Sequence, residues 1–149
     1  MIIYSDHELK NEKIPEKYAL FLDDSRLPKN VTWIDLPPHN WVIVRNYNEF
    51  IKCIEKYNCP AVCSFDHDLY PEHYAAFATV NNTPLIEEKV IHYDKFKEKT
   101  GRDAAVWLAN YCLDKKVLLP LYYLHSLNGV GCANIHSVLE SARKAMENI

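Results

Sequence analysis

The stretch "PAVCSFDHDL", residues 60–69, joins a short apolar run to three polar side chains in succession, Asp66, His67 and Asp68. A short apolar run without a polar face is typical of a strand that is buried on both sides of a parallel sheet. Two carboxylates and an imidazole hydrate strongly and pack badly, and a strand end in an α/β protein is where ligands bind. We therefore predict a buried strand over 60–66 that leads into functional side chains.

Three other segments have the same character, a short apolar run that ends in polar residues. They are "YALFLDD" (18–24), "WVIVR" (41–45) and "VLLPLYYLHS" (117–126). Apolar residues at helical spacing predict three helices, in 48–58, 100–116 and 132–148. Asn46 or Asn48 could cap the first helix, and Thr100 with Asp103 has the spacing of a capping box for the second. This alternation predicts an α/β protein with a mostly parallel sheet of about four strands flanked by helices.

Two segments show no period. The first, residues 25–40, contains three prolines and predicts a loop. The second, residues 70–99, is a long insert after the third predicted strand. Because so long a segment in a compact domain is usually functional, we expect this insert to cover the site as a lid or specificity wall.

Composition limits the class of protein. The 149 residues, 48% hydrophobic and 25% charged, predict one domain over residues 1–149. A net charge of −3 argues against a broad surface for nucleic acid or membrane. No apolar run approaches the roughly 18 residues that span a bilayer, and the N-terminus lacks a signal-peptide core. Five cysteines without a CxxC pair predict buried free thiols and a cytoplasmic protein.

In a parallel sheet, the carboxyl ends of all the strands lie at the same end of the sheet, here called the rim. The polar residues at the predicted strand ends are Asp23, Asp24, Arg45, Asp66, Asp68, His125 and Ser126. Clustered carboxylates raise each other's pKa unless a cation neutralises them, and hard divalent ions prefer oxygen ligands. We therefore predict a divalent metal at the rim, Mg²⁺ first and Mn²⁺ as the second choice. Acids in a solvated loop are the alternative.

Four motifs in this order, "FLDDSRLP", "SFDHDL", "TGRDAAVWL" and "HSLNGVGCANI", resemble the cyclic-phosphate processing receiver-like domains, which are relatives of response-regulator receivers. The resemblance runs from Tyr18 to the C-terminus and implies a receiver-like (flavodoxin-like) fold. It implies metal ligands at Asp23, Asp24 and Asp66, and a hydroxyl at Ser126. The chain departs from receivers in two ways: no fifth strand with a lysine is predicted, and the 25–40 loop replaces the first helix.

The resemblance and the residues together predict a metal-dependent phosphoesterase that processes a cyclic or terminal phosphate of a nucleotide or RNA end. Arg26 and Arg45 could bind phosphate oxygens, or they could form ordinary surface ion pairs. His67 and His125, with Asp68, could transfer protons, since imidazole titrates near pH ~6.5. Alternatively, His67 could simply be exposed, and His125 could be a histidine at a strand end whose hydrogen bonds are satisfied by the protein.

Asn128 and the amides after Gly129 and Gly131 could bind phosphate at the start of the last helix, although "NGVG" alone is typical of a plain turn. The alternative function is a non-catalytic receiver-like module that binds a metal, a nucleotide or a protein partner, with Asp66 as a phosphorylation site. Such a module has no need of His67, Asp68 or His125, so these three residues distinguish the two hypotheses.

Overall fold

The strands form one parallel sheet, as predicted. The computed structural model describes residues 2–4, 14–69 and 99–147. Its strands are β1 (Ile2–Ile3), β2 (Ala19–Leu22), β3 (Val42–Val44), β4 (Val62–Phe65) and β5 (Leu121–Leu124). They lie in the order β1-β3-β2-β4-β5, and every neighbouring pair is parallel. The predicted α/β fold class is therefore confirmed. The predicted insert lies outside the described residues except for Lys99.

The described residues also form three α-helices, α1 (Tyr47–Tyr57), α2 (Gly101–Lys115) and α3 (Gly129–Glu147). Asn46 caps α1, because its side chain accepts a hydrogen bond from the amide of Glu49. Thr100 and Asp103 form the predicted reciprocal capping box on α2.

The last helix begins three residues before the predicted position. The Asn128 side-chain oxygen accepts a hydrogen bond from the Gly131 amide at 3.0 Å, as an N-cap side chain does. Gly129 and Gly131 therefore lie in the first turn of α3, and "NGVG" is not a separate turn before the helix.

The two edge strands differ from the sequence prediction. β1 was not predicted, because two residues carry no measurable pattern. β5 is shorter than the predicted 117–126, since Pro120 cannot donate to a ladder and Leu118 is 87% exposed. No strand follows β5 in the described part of the chain, so the strand that would carry the receiver lysine is not found there. The strand that brings the number to five is β1, and it lies at the other edge of the sheet from β5.

The two faces of the sheet are covered differently. One face packs against the three helices in a core that includes Leu20, Val44 and Phe65. On the other face, Phe21 and Ile43 pack against residues 25–40, here called the proline-rich segment, and against the residue that follows it: Val31, Ile34, Leu36 and Trp41. The segment contains one short 3₁₀ turn, Pro28–Asn30, and it covers the sheet face without forming an α-helix.

None of the helices in the described residues is both long enough and apolar enough to cross a membrane. All five cysteines are free thiols; Cys53, Cys63 and Cys112 are buried, whereas Cys59 and Cys132 are partly exposed. The prediction of free thiols is therefore confirmed, and burial holds for three of them.

Candidate functional site

The strand register places four predicted site residues in one row. The last residues of β2, β3, β4 and β5 are aligned with one another across the sheet. The residues that follow them at the rim are therefore neighbours, in the order Arg45, Asp23, Asp66 and His125. Backbone hydrogen bonds from the amides of Asp23, Asp66 and His125 continue the ladder beyond the strands. The rule for strand ends thus gives the correct neighbours.

Three carboxylates converge at this rim. Asp23, Asp24 and Asp66, here called the acidic cluster, each present an oxygen within 4.8 Å of the others. Asp23 and Asp66 are buried, and Asp24 is partly exposed. Three close carboxylates repel one another, and oxygen donors are the ligands that hard divalent cations prefer. The donor set fits a divalent metal, so the acidic cluster could bind one.

A buried histidine holds the Asp23 carboxylate in place. The His125 Nε2 atom lies 3.1 Å from Asp23 Oδ2, and its Nδ1 atom lies 2.6 Å from Ser64 Oγ. Because a carboxylate only accepts, Nε2 carries the proton, and the Ser64 hydroxyl donates to Nδ1. The ring stacks on Phe21 with centroids 4.4 Å apart. Both ring nitrogens therefore bond to protein groups.

The protonation states of this pair follow from its surroundings. Burial alone would raise the pKa of Asp23, but hydrogen bonds from His125 and from the amides of Arg26 and Ser25 lower that pKa to about 2. Burial lowers the pKa of His125, because desolvation disfavours the imidazolium, and Asp23 offsets only part of this effect. At neutral pH Asp23 is therefore a carboxylate and His125 a neutral imidazole.

We expect the metal-free protein to lose stability as the pH falls below ~6.5, where histidine in an unfolded chain takes up a proton. His125 has a lowered pKa in the folded state, so the unfolded state binds the proton first and the free energy of unfolding decreases. Asp23 adds a second loss as the pH falls from 3.8 to about 2. Urea unfolding in chelator between pH about 7.5 and 5 tests the first step.

The control for this experiment is His125→Gln, whose amide can still donate to Asp23. Its stability should depend less steeply on pH over the same range, because the other histidines contribute equally to both proteins. Parallel profiles for the two proteins would contradict the assignment.

A second histidine is held by a carboxylate and an amide. The His67 Nδ1 atom lies 3.0 Å from Asp68 Oδ1, and Asn128 Nδ2 donates to Asp68 Oδ2 at 3.1 Å. His67, Asp68 and Asn128 are all buried. Because Asp68 accepts, His67 carries its proton on Nδ1, which leaves the lone pair on Nε2. Asn128 thus has two functions: it caps α3, and it orients the carboxylate that orients His67.

Two glycines let helices approach the segment that follows β4. A Cβ atom on Gly101 would overlap the Asp66 carbonyl oxygen and lie 2.9 Å from its carbon. A Cβ atom on Gly131 would lie 2.7 Å from His67 Cβ. The Gly101 amide donates to the His67 carbonyl oxygen at 2.9 Å. The first turn of α2 therefore packs against the backbone of Asp66 and His67, and the first turn of α3 packs against the His67 ring.

Arg26 forms ion pairs with two members of the acidic cluster. Its Nη1 atom lies 3.5 Å from Asp23 Oδ2 and 3.9 Å from Asp66 Oδ2. Its guanidinium also lies over the Trp33 ring, 5.2 Å from the centroid. The Trp33 indole in turn donates to the His125 carbonyl oxygen at 2.8 Å, which ties the proline-rich segment to the rim.

Arg45 and Ser126 also bond to protein groups. Arg45 Nη1 donates to the carbonyl oxygens of Asp23 at 3.2 Å and of Arg26 at 2.6 Å. It therefore holds the main chain that carries Asp23, and its contact with phosphate stays a prediction. The Ser126 hydroxyl accepts from the Asn128 amide at 3.1 Å, and its role toward phosphate also stays a prediction.

Sequence reasoning did not identify Ser64 or Trp33. A lone hydroxyl within the apolar run "PAVCSF" is a signal that could have found Ser64. Trp33 is the single aromatic residue of the 25–40 segment, but its contact with His125 depends on how the segment folds across the sheet.

Comparison with known proteins gives one match. The model of a family described as the cyclic-phosphate processing receiver domain matches residues 18–141. The match includes every residue placed at the rim above. Comparisons with curated proteins and with solved structures give no match.

Proposed function

Because the chain belongs to the family of cyclic-phosphate processing receiver domains, we propose that it is a metal-dependent phosphoesterase acting on a cyclic or terminal phosphate of a nucleotide or RNA end. The observation that carries this proposal is a buried His67–Asp68 pair, which directly follows the metal-binding candidate Asp66. A carboxylate cluster alone would suit a receiver, but an oriented imidazole beside it suits proton transfer.

The acidic cluster would hold the cation, which we propose to be Mg²⁺, with Mn²⁺ as the alternative. When bound, a divalent cation polarises a phosphoryl oxygen and lowers the pKa of water. His125 and Arg45 keep Asp23 in place from two sides. Arg26, at 25% side-chain exposure, can turn from the carboxylates and donate N–H groups to phosphate oxygens.

His67 would act as the general base and then as the general acid. As a water oxygen bonds to phosphorus, His67 Nε2 takes the proton of that water, and Asp68 stabilises the imidazolium through Nδ1. The ester P–O bond breaks, and the same proton passes to the leaving alkoxide. A cyclic phosphate is thereby opened to a monoester.

We propose a positioning role for His125 in place of the catalytic role that the sequence predicted. Both of its ring nitrogens bond to protein groups, so we propose that it positions Asp23. Trp33 is 38% exposed and offers an aromatic surface next to Arg26, which supports a substrate with a base. The free thiols agree with the cytoplasmic location that we also propose.

The direct test is hydrolysis of 2′,3′-cyclic nucleotides, 3′,5′-cyclic nucleotides and cyclic-phosphate RNA ends, each with Mg²⁺, with Mn²⁺ or with chelator. We expect at least one of these to be opened to a monoester in a metal-dependent way. Absence of any product across the panel would overturn the phosphoesterase proposal.

We expect millimolar Mg²⁺ or Mn²⁺ to raise the melting temperature, since an ion that binds only the folded state stabilises it. At 100 times its dissociation constant an ion adds about 2.7 kcal/mol. Differential scanning calorimetry measures the shift. The double variant Asp23→Asn, Asp66→Asn should lose the shift, while Asp114→Asn, which lies at the opposite end of α2 from Gly101, should keep it. An unshifted wild type would contradict the metal site.

A non-catalytic module is the second candidate. It is favoured by the placement of Asp66 after β4 with Asp23 alongside and Ser126 after β5, the positions that the resemblance assigns to a receiver. In that case acetyl phosphate should phosphorylate Asp66, and no cyclic phosphate should be hydrolysed.

A further inference from the structure

Two thiols lie together at the end of the sheet opposite the rim. Cys59 precedes β4, and Cys112 lies in the last turn of α2. Their sulfur atoms are 3.6 Å apart, and both sulfurs approach the Leu118 carbonyl oxygen, at 3.9 and 4.0 Å. The residues are 53 positions apart in sequence, so the fold itself creates this thiol pair.

The two thiols differ in access and in acidity. Cys59 is partly exposed and lines an open groove beside Trp107 and Tyr111, whereas Cys112 is completely buried. A hydrogen bond from Cys112 lowers the pKa of Cys59. The same hydrogen bond, with burial, raises the pKa of Cys112. Cys59 is therefore the thiol that can react first with a molecule in solution.

We propose that Cys59 and Cys112 are a redox-active dithiol that a small-molecule disulfide, such as oxidised glutathione, converts to an intramolecular disulfide. The Cys59 thiolate attacks one sulfur of the small disulfide, forms a mixed disulfide and releases one thiolate. Cys112, after losing its proton, attacks the Cys59 sulfur and releases the second. The protein loses two protons and two electrons, and the small disulfide takes them up and becomes two thiols.

The geometry permits the second step. The sulfurs must approach from 3.6 Å to ~2.0 Å. Cys59 lies outside the helices and strands, between Asn58 with φ 70° and Pro60, so a change of its side-chain rotamer does not disturb a helical hydrogen bond.

The remaining thiols are poor competitors. Cys53 and Cys63 are completely buried, and burial raises the pKa of Cys53 to about 12 and that of Cys63 well above its usual value. Burial also raises the pKa of the partly exposed Cys132. Oxidation should therefore select Cys59 with Cys112.

The Cys59–Cys112 disulfide would cross-link α2, the helix whose first turn contacts the candidate site. It would join the last turn of α2 to the segment before β4. The first turn of the same helix contacts Asp66 and His67 through Gly101. We therefore expect the oxidised protein to melt at a higher temperature than the reduced one, because the cross-link restricts the unfolded chain.

The test treats the native, full-length protein with oxidised glutathione and follows intact mass, titratable thiols and peptide linkage. We expect a mass loss of two hydrogens, three thiols titratable after denaturation in place of five, a Cys59–Cys112 peptide and full reversal by dithiothreitol. Cys112→Ser should stop at a glutathione adduct on Cys59, and Cys59→Ser should not react. Cys132→Ser is the matched control and should close as wild type does.

Three results would overturn the proposal: five thiols retained in wild type, a glutathione adduct on Cys59 that does not close, or a linkage between other cysteines. If the buried Cys112→Ser variant fails to fold, the partly exposed Cys59→Ser variant and the peptide linkage in wild type still decide the matter.

Discussion

Replacing His67 with Asn should lower the turnover of the best cyclic-phosphate substrate by ~10²–10⁴, the usual contribution of a general acid or base. The metal-dependent rise in melting temperature should remain, because imidazole is not needed to hold a hard cation beside three carboxylates. The variant should also lose the part of the pH dependence of the rate that comes from an imidazole. Steady-state kinetics across pH, with calorimetry on the same samples, measures all three.

The matched control is His136→Asn. His136 lies on α3 and bonds through Nδ1 to the Tyr122 hydroxyl at 2.8 Å, so its loss should leave turnover unchanged. If His67→Asn turns over substrate at the wild-type rate, His67 is not the general base. If acetyl phosphate also labels Asp66 while no cyclic phosphate is hydrolysed, the receiver-like module is the better description.

Replacing Gly101 with Ala should destabilise the protein by ~3 kcal/mol, at the upper end of the usual cost of overpacking. The added Cβ would overlap the Asp66 carbonyl oxygen, and a backbone atom cannot move aside as the end of a flexible side chain can. The first turn of α2 would have to shift, and its hydrogen bond to the His67 carbonyl oxygen would be lost. Urea unfolding monitored by circular dichroism measures the loss.

Gly129→Ala is the control within the same chain. Gly129 also lies in the first turn of a helix, but a Cβ atom there meets nothing within 4 Å. This variant should be as stable as wild type or more stable by up to ~1 kcal/mol, because Ala loses less backbone entropy than Gly. Equal stabilities for Gly101→Ala and Gly129→Ala would show that the α2 contact with Asp66 is looser than described.

The central part of the fold was predictable because strands buried on both faces are continuous apolar runs. β2, β3 and β4 lie within the predicted segments. The edge strands β1 and β5 were less predictable, because the residues of an apolar run do not all form backbone hydrogen bonds with a neighbouring strand. Leu118 belongs to such a run and is 87% exposed, whereas Ile2 and Ile3 pair with β3 in a segment too short to show a period.

The acidic cluster was predictable because the carboxyl ends of parallel strands lie at the same end of the sheet. The hydrogen-bond partners of the individual side chains were not predictable. His125 bonds to Asp23 across 102 residues, and this contact requires the strand order, the register and a hydroxyl from Ser64 on a third strand. Sequence spacing carries none of that information. The catalytic role predicted for His125 therefore stays a prediction, beside our proposal that this histidine positions a carboxylate.

The parallel sheet has a consequence for the order of assembly. No pair of described strands is a hairpin: Ala19 pairs with Val62, and Val62 pairs with Leu121. Each pairing closes a long loop before it gains a contact, so this topology predicts slower folding than that of a helical bundle of the same size. The bond between His125 and Asp23 joins segments 102 residues apart and can form only after β5 docks. A refolding chain should therefore regain helical signal before it regains the contacts of the rim.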